Sequence, residues 1–201
     1  MVINWYGEGC FRLQTGGTTV LIDPYDKSTG LTPPRFKSDI LVKTKTDYPL
    51  DYKDTDSSSI FSAGEYEIKG IEVLGWYIPG DANSLKSVYL IKAEGLNLGI
   101  LGHLTENLEA DVVDKLSASD ILFAPVGGVP YIKIDNLIKL IKTINPLIVV
   151  ASFFKISGLK TKSGDIKDFL KEFGQAPGAQ DSLVVKKKDL PNNTKLAVLK
   201  I

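Results

Sequence analysis

Phe11-Arg12-Leu13-Gln14-Thr15-Gly16-Gly17-Thr18-Thr19-Val20-Leu21-Ile22-Asp23-Pro24 sets two apolar runs around a pair of glycines. Phe11 to Gln14 and Thr18 to Ile22 read as strands, because branched and aromatic side chains suit a pleated backbone. Gly16-Gly17 supplies the left-handed conformations that a tight hairpin needs. Asp23-Pro24 ends the second strand, since proline has no N–H to give to a ladder.

The same pattern continues outward on both sides. Met1 to Trp5 opens directly into a strand. Ile40-Leu41-Val42 is wholly apolar and suits a strand buried on both faces, whereas Asp47 to Ser59 is polar and turn-rich and reads as a surface loop. Glu65 to Ile68 and Ile71 to Leu74 predict a hairpin about Lys69-Gly70, and Ser87 to Ala93 with Leu96 to Leu101 predict another at Glu94-Gly95. Helical spacing comes later. Thr105 caps a helix carrying Leu108, Val112, Val113 and Leu116 on one face, and Asp135 caps a second with Leu137, Ile138, Ile141 and Ile144 inward. Asp165 caps a third, closed after Phe173 by Gly174. Asp120 to Pro125, Leu147 to Phe154, Ser182 to Lys186 and Lys195 to Ile201 are the remaining strands. Hairpins followed by helix–strand alternation predict an α/β domain with sheets packed face to face and helices outside.

Composition narrows the function classes. A chain of 201 residues supports one sizeable core, so residues 1–201 read as a single domain. With 24 acidic and 24 basic residues there is no long-range field to gather nucleic acid, and Lys186-Lys187-Lys188 reads as a solvated strand end. No apolar run reaches membrane-spanning length. Cys10 is the only cysteine, which excludes an intrachain disulfide and a cysteine zinc cluster, and its apolar flank predicts a buried, inert thiol. The start lacks a basic, apolar leader pattern, so the cytoplasm is the expected location.

Several of these segments together resemble one family. Trp5-Tyr6-Gly7-Glu8-Gly9-Cys10-Phe11 and Leu21-Ile22-Asp23-Pro24 are similar to the opening of the zinc-dependent hydrolases of the metallo-β-lactamase fold. Gly64 to Gly70 resembles a hairpin of their short bacterial and archaeal members, and Leu98-Gly99-Ile100-Leu101-Gly102-His103 falls where that family has Leu-Gly-Asp-Leu-Gly-His. Pro125-Val126-Gly127-Gly128 matches its Pro-Val-Gly-Gly strand end. The resemblance implies a four-layer αββα sandwich with the active site in loops along one edge of the sheets. It also implies a zinc centre, which needs about four nitrogen, sulfur or carboxylate ligands and activates a bound water.

The chain contains a single histidine, so a His-rich two-metal site is excluded by counting. Lys43-Thr44-Lys45-Thr46-Asp47-Tyr48 matches the family's His-x-His-x-Asp-His loop, where only Asp47 is retained. Ile100 stands at the metal-bridging aspartate and Phe153 at the last histidine, while His103 falls on a position associated with the second shell of ligands. The middle histidine's equivalent lies within Trp76 to Asp81, which has none. The expected pocket is therefore a degenerate one made of Asp23, Lys43, Lys45, Asp47, Tyr48, Ile100, His103 and Phe153.

Three readings of it compete. Lys43 or Lys45 pairs with a buried Asp47 in place of the metal's charge. Alternatively the lysines receive a small anionic ligand, carboxylate or phosphate. In the third, Asp47, His103 or a lysine acts as a general base in a mononuclear or metal-free hydrolase. The reading adopted is a catalytically inactive binding or scaffolding protein with no cofactor, assembling with itself or with an active relative. Elsewhere, His103 is expected to bond backbone near the Thr105 cap, Gly127-Gly128 to serve close packing, and Trp76 and Tyr77 to line a ligand mouth, anchor a partner or pack in the core.

Overall fold

β2 (Phe11–Thr15) and β3 (Thr18–Ile22) form the glycine-turned hairpin, with Leu13 opposite Val20 and Phe11 opposite Ile22. In this computed structural model, which describes residues 1–49 and 58–201, the hairpin nucleates the first of two sheets. β1 (Val2–Trp5) pairs antiparallel with β2, and β4 (Ile40–Val42) lies parallel to β3. β5 (Lys45–Asp47) belongs to the second sheet, and β6 (Ser59–Ile60) returns to the first beside β4.

The second sheet begins as a meander of β7 (Gly64–Ile68), β8 (Ile71–Ile78), β9 (Ser84–Ala93) and β10 (Leu96–Ile100). It continues through β11 (Ile121–Pro125) and β12 (Ile148–Ser152), both parallel to β10. Parallel neighbours need a crossover, and α1 (Ala110–Leu116) and α2 (Ile134–Ile144) provide it. α3 (Ile166–Phe173), β13 (Leu183–Val184) and β14 (Lys195–Ala197) complete the chain, with β13 extending the first sheet and β14 the second. The strand orders are β13-β1-β2-β3-β4-β6 and β14-β12-β11-β10-β9-β8-β7, with β5 added on β9.

The sheets face each other through alternating apolar residues. Phe11 of the first meets Phe123 of the second edge to face, with centroids 4.8 Å apart, and both are almost wholly buried. Burial of one such side chain contributes about 1.5–3 kcal/mol. The arrangement is the expected α/β sandwich.

Boundaries differ from expectation where local signals were outweighed. α1 starts at Ala110 after Glu109, not at Thr105. The intervening residues serve as wall: Ile132 N–H donates to Leu104 O, and Thr105 faces a cleft. α2 is preceded by Lys133, and Asp135 lies inside its first turn, where a carboxylate still favours the helix dipole. α3 is capped as expected, Asp165 accepting from Lys167 N–H at 2.9 Å and Gly174 closing the end in the left-handed region. Leu41 of β4 is only partly buried. The expected loop from Asp47 to Ser59 instead starts and ends in strands, and residues 50–57 lie outside the described residues. The lysine run leads into a short 3-10 turn, Lys187–Asp189, preceded by an extended Lys186, and Lys187 pairs with Asp120 at 2.7 Å. Among the described residues, no helix is long and apolar enough to cross a membrane.

Candidate functional site

The carboxyl ends of β3, β4, β10 and β12 gather along one edge, the usual place for ligands in α/β sheets. Only Lys43 and Thr44 separate β4 in one sheet from β5 in the other, so the chain crosses between the sheets there. The crossing bounds a cleft of about 730 Å³ lined by residues that include Glu8, Asp23, Lys43, Lys86, His103 and Phe153.

Its floor is a closed hydrogen-bonded chain. Asp23 accepts from Thr44 N–H through Oδ1 and from the Thr44 hydroxyl through Oδ2, both at 2.6 Å. With its one proton given to Asp23, Thr44 Oγ1 accepts from Nδ1 of His103 at 2.8 Å and from the His103 backbone N–H at 3.3 Å. With Asp23 ionised, the imidazole proton sits on Nδ1 and Nε2 is left as an acceptor. Gly102 lets the strands approach this closely: its φ is +50°, and a Cβ there would lie 2.1 Å from Thr44 Oγ1. Burial pushes the Asp23 carboxyl up to about 7 despite the two bonds from Thr44 and the charge of Lys43. Burial, then Lys45 and Lys86, hold His103 down to about 3. The 3.8 Å approach of His103 Nδ1 to Asp23 Oδ2 is thus a contact of a neutral imidazole, not an ion pair.

Phe153 closes the floor. Its ring packs 4.8 Å from His103 and 4.6 Å from Tyr131, and its Cζ would lie 2.2 Å from a Cβ placed on Gly9. Six non-glycine residues have positive φ among those described; Lys69 and Glu94 are hairpin turns and Asn145 ends α2. The other three, Glu8, Asp23 and Phe153, all line the cleft, and such strain concentrates where a site is held in shape.

Glu8 forms the adjoining wall. Its Oε2 accepts from Tyr131 O–H at 3.3 Å, while Oε1 is buried with no protein partner. Burial raises its pKa, and the Thr161 and Tyr131 hydroxyls pull it partly back.

The structure brings Asp23, Lys43, Lys45, Asp47, His103 and Phe153 to the cleft and leaves two expected residues out of it. Ile100 is 2% exposed and belongs to the core, where a hydrocarbon side chain is stable. Tyr48 is 57% exposed and does not line the cleft. The buried Asp47–lysine pair is also corrected: Asp47 and Lys45 are exposed on β5, and no ion pair joins Asp47 to Lys43 or Lys45 among the described residues. His103 bonds Thr44 across the sheets, not backbone beside Thr105. Gly127 does serve close packing, since a Cβ would lie 2.1 Å from Phe153 O. Tyr77 is exposed, and Trp76 carries Lys115 over its ring at 5.5 Å; neither lines the cleft. Cys10 is fully buried, and burial raises its pKa, as for an inert thiol.

Sequence reading missed Glu8, Thr44, Lys86 and Tyr131. Glu8 had a signal, a charged residue between two glycines; Thr44 lay in a segment read only for its missing histidines. Lys86 had none, because its place depends on β5 pairing with β9.

The donors do not fit the zinc centre that the resemblance implies. Both oxygens of Asp23 and Nδ1 of His103 are engaged with Thr44, and a phenyl ring takes the place expected for an imidazole. Among the described residues, no group of three or more His, Cys, Asp or Glu could hold a metal ion.

Comparison with known proteins agrees with the fold. A beta-lactamase superfamily domain model matches residues 2–152. A candidate Zn-dependent hydrolase of the metallo-beta-lactamase superfamily from Thermotoga maritima superposes with a TM-score of 0.80 at 23% identity, covering 98% of this chain and 97% of its own. A metallo hydrolase from the archaeon Ignicoccus hospitalis gives 0.67 at 15% identity, covering 92% and 99%. The metallo-beta-lactamase fold protein YhfI from Bacillus subtilis gives 0.65 at 8% identity, covering 99% and 95%. No curated protein sequence matches the chain.

Proposed function

The chain belongs to the beta-lactamase superfamily, with the metallo-β-lactamase fold of its hydrolases, and from that premise we propose that it is a non-catalytic member whose cleft binds a small anionic ligand. The observation that carries this reading is the closed Asp23–Thr44–His103 chain. It engages both oxygens of the carboxylate and leaves one nitrogen of a single imidazole, far short of the roughly four donors that a zinc ion needs. An ion entering there would have to break bonds to a buried carboxylate, each a charge-assisted contact of about 1.5–3 kcal/mol.

A metal-free hydrolase is the weaker reading on chemical grounds. A histidine held down to about 3 is a poor proton acceptor near neutral pH, and general-base efficiency falls with the base's pKa. A neutral Nε2 is better suited to accepting a hydrogen bond from a ligand. A cytoplasmic setting is part of the same proposal; a single, fully buried cysteine is consistent with a reducing compartment.

Metal analysis of protein purified without chelators, followed by titration with zinc and manganese, tests the proposal. The expected result is substoichiometric metal and no saturable binding at this edge. Stoichiometric zinc, manganese or iron that is lost on Asp23→Ala would overturn it.

A further inference from the structure

Lys45 and Lys86 face each other directly across the β5–β9 ladder. Ser87 N–H donates to Thr44 O at 2.9 Å and Tyr48 N–H to Asn83 O at 2.8 Å. Those bonds put the lysine pair at a position without mutual hydrogen bonds, where Cα atoms are only about 4.5 Å apart and side chains are closest. Like charges directly opposite destabilise a sheet. Both lysines line the cleft, as does Lys43, and none of the three has an ion-pair partner among the described residues, although the charge of Lys43 is felt by Asp23. Asp81 feels Lys45 and Lys86 only at longer range, and Asp47 shares the face of Lys45 without pairing to it.

Across the cleft, Oε1 of Glu8 is buried on a residue only 7% exposed and has no donor in ordinary hydrogen-bond geometry, although the nearby Thr161 hydroxyl acts on the same carboxyl. A buried acceptor without a donor is an exception that calls for an explanation. The lysine side of the cleft thus carries more cations than anions, and the other side holds a carboxyl oxygen with no donor in ordinary bonding geometry.

We propose that the cleft seats a phosphate monoester with a hydroxylated body. Its head lies between Lys45 and Lys86 within reach of Lys43, and a hydroxyl of its body donates to Oε1 of Glu8. A phosphate monoester carries about −1.5 to −2 charges near neutral pH, matching two facing ammonium groups; a carboxylate brings only one. Lysine binds such a group as a point charge, so the flexible pair can close on it without a metal. The volume lies within the range of small-molecule sites. This inference rests on the non-catalytic reading of the same cleft.

Isothermal titration calorimetry of the metal-free protein with ribose 5-phosphate tests it, with inorganic phosphate, succinate and ribose as further probes. Ribose 5-phosphate is expected to bind saturably, succinate at least about tenfold more weakly, and ribose not at all. The Lys45→Gln/Lys86→Gln double variant should lose at least about tenfold in affinity with an unchanged circular dichroism spectrum, and Lys86→Arg should retain most of it. Glu8→Leu should weaken ribose 5-phosphate but not inorganic phosphate. Undiminished binding to the double variant, or equal binding of succinate, would overturn the lysine seat. Equal weakening of both phosphates by Glu8→Leu would overturn the assignment of Glu8. Absence of binding overturns the seat while leaving the non-catalytic reading in place. Release of inorganic phosphate from the bound ester does the reverse.

Discussion

On one side of the cleft, Asp23, Thr44, His103 and Phe153 are tied to one another by hydrogen bonds and ring contacts, with only Nε2 of His103 left open. On the other, Lys43, Lys45 and Lys86 hold three ammonium groups with no ion-pair partner among the described residues. The floor obeys the rule for buried polar groups, that each finds a partner. The rim breaks the rule for cross-strand pairs, that like charges avoid each other. A side of a site that satisfies itself serves the fold, and a side that does not is kept for something outside the chain. The two sides should therefore respond to change with opposite signs.

The hardest blow to the floor is Gly102→Ala. The residue has φ +50°, and a Cβ would lie 2.1, 2.3 and 2.5 Å from Oγ1, Cβ and Cγ2 of Thr44. Thr44 cannot retreat without releasing both Asp23 and His103. Left-handed strain and overpacking together should cost about 3 kcal/mol or more, read from the urea midpoint at constant slope. A loss below about 1 kcal/mol would mean the floor is compliant, and the contrast with the rim would fail.

The floor also stores two opposed proton linkages. Asp23 titrates near 7 when folded against an ordinary 3.8, so through that interval the folded chain keeps a proton that the unfolded chain has lost. Stability from this group is complete below the lower value and falls as pH rises toward the higher. Glu8, also raised by burial, acts in the same direction. His103 titrates near 3 against 6.5, so there the unfolded chain holds the extra proton and stability rises with pH up to the ordinary value. Between about pH 4 and 6.5 the two contributions oppose each other, and the native protein should have a shallow pH profile. His103→Gln should expose a fall and Asp23→Asn a rise, each approaching about 1.4 kcal/mol per pH unit. Urea midpoints at about pH 4.5, 5.5 and 6.5 decide this; slopes of one sign in both variants would break the assignment.

The same division explains what could be read from the chain itself. The Gly16-Gly17 hairpin, the Gly174 cap and the parallel core strands are local or periodic features, written in residues a few places apart. The scarcity of histidine was legible as well, because a single one excludes a His-rich two-metal site by counting. Ile100 and Tyr48 were placed at the site by alignment to a motif, and packing decided otherwise: hydrocarbon withdrew to the core, and the tyrosine remained exposed. Thr44 acquires its role only when β3 and β10 bring Asp23 and His103 to it, 21 and 59 residues away in the chain. Lys86 was invisible for a similar reason. Its partnership with Lys45 exists only because β5, expected as loop, joins the second sheet.

The smallest expected effect carries the contrast most directly, because its sign is reversed. Lys45→Gln removes one of two facing positive charges from an exposed strand position, so it should stabilise the free protein by about 0.5 kcal/mol. Salt should shrink that gain, since the repulsion between partly exposed charges is screened within about 8–10 Å at physiological strength. Lys45→Gln/Lys86→Gln should gain little more than the single variant, because the first change already removes the repulsion and the two effects are coupled. Thermal unfolding in low-salt buffer without phosphate measures all three proteins. If the native lysines proved more stable than either variant, the rim would be holding the fold together just as the floor does, and nothing in its charge would then point beyond the chain.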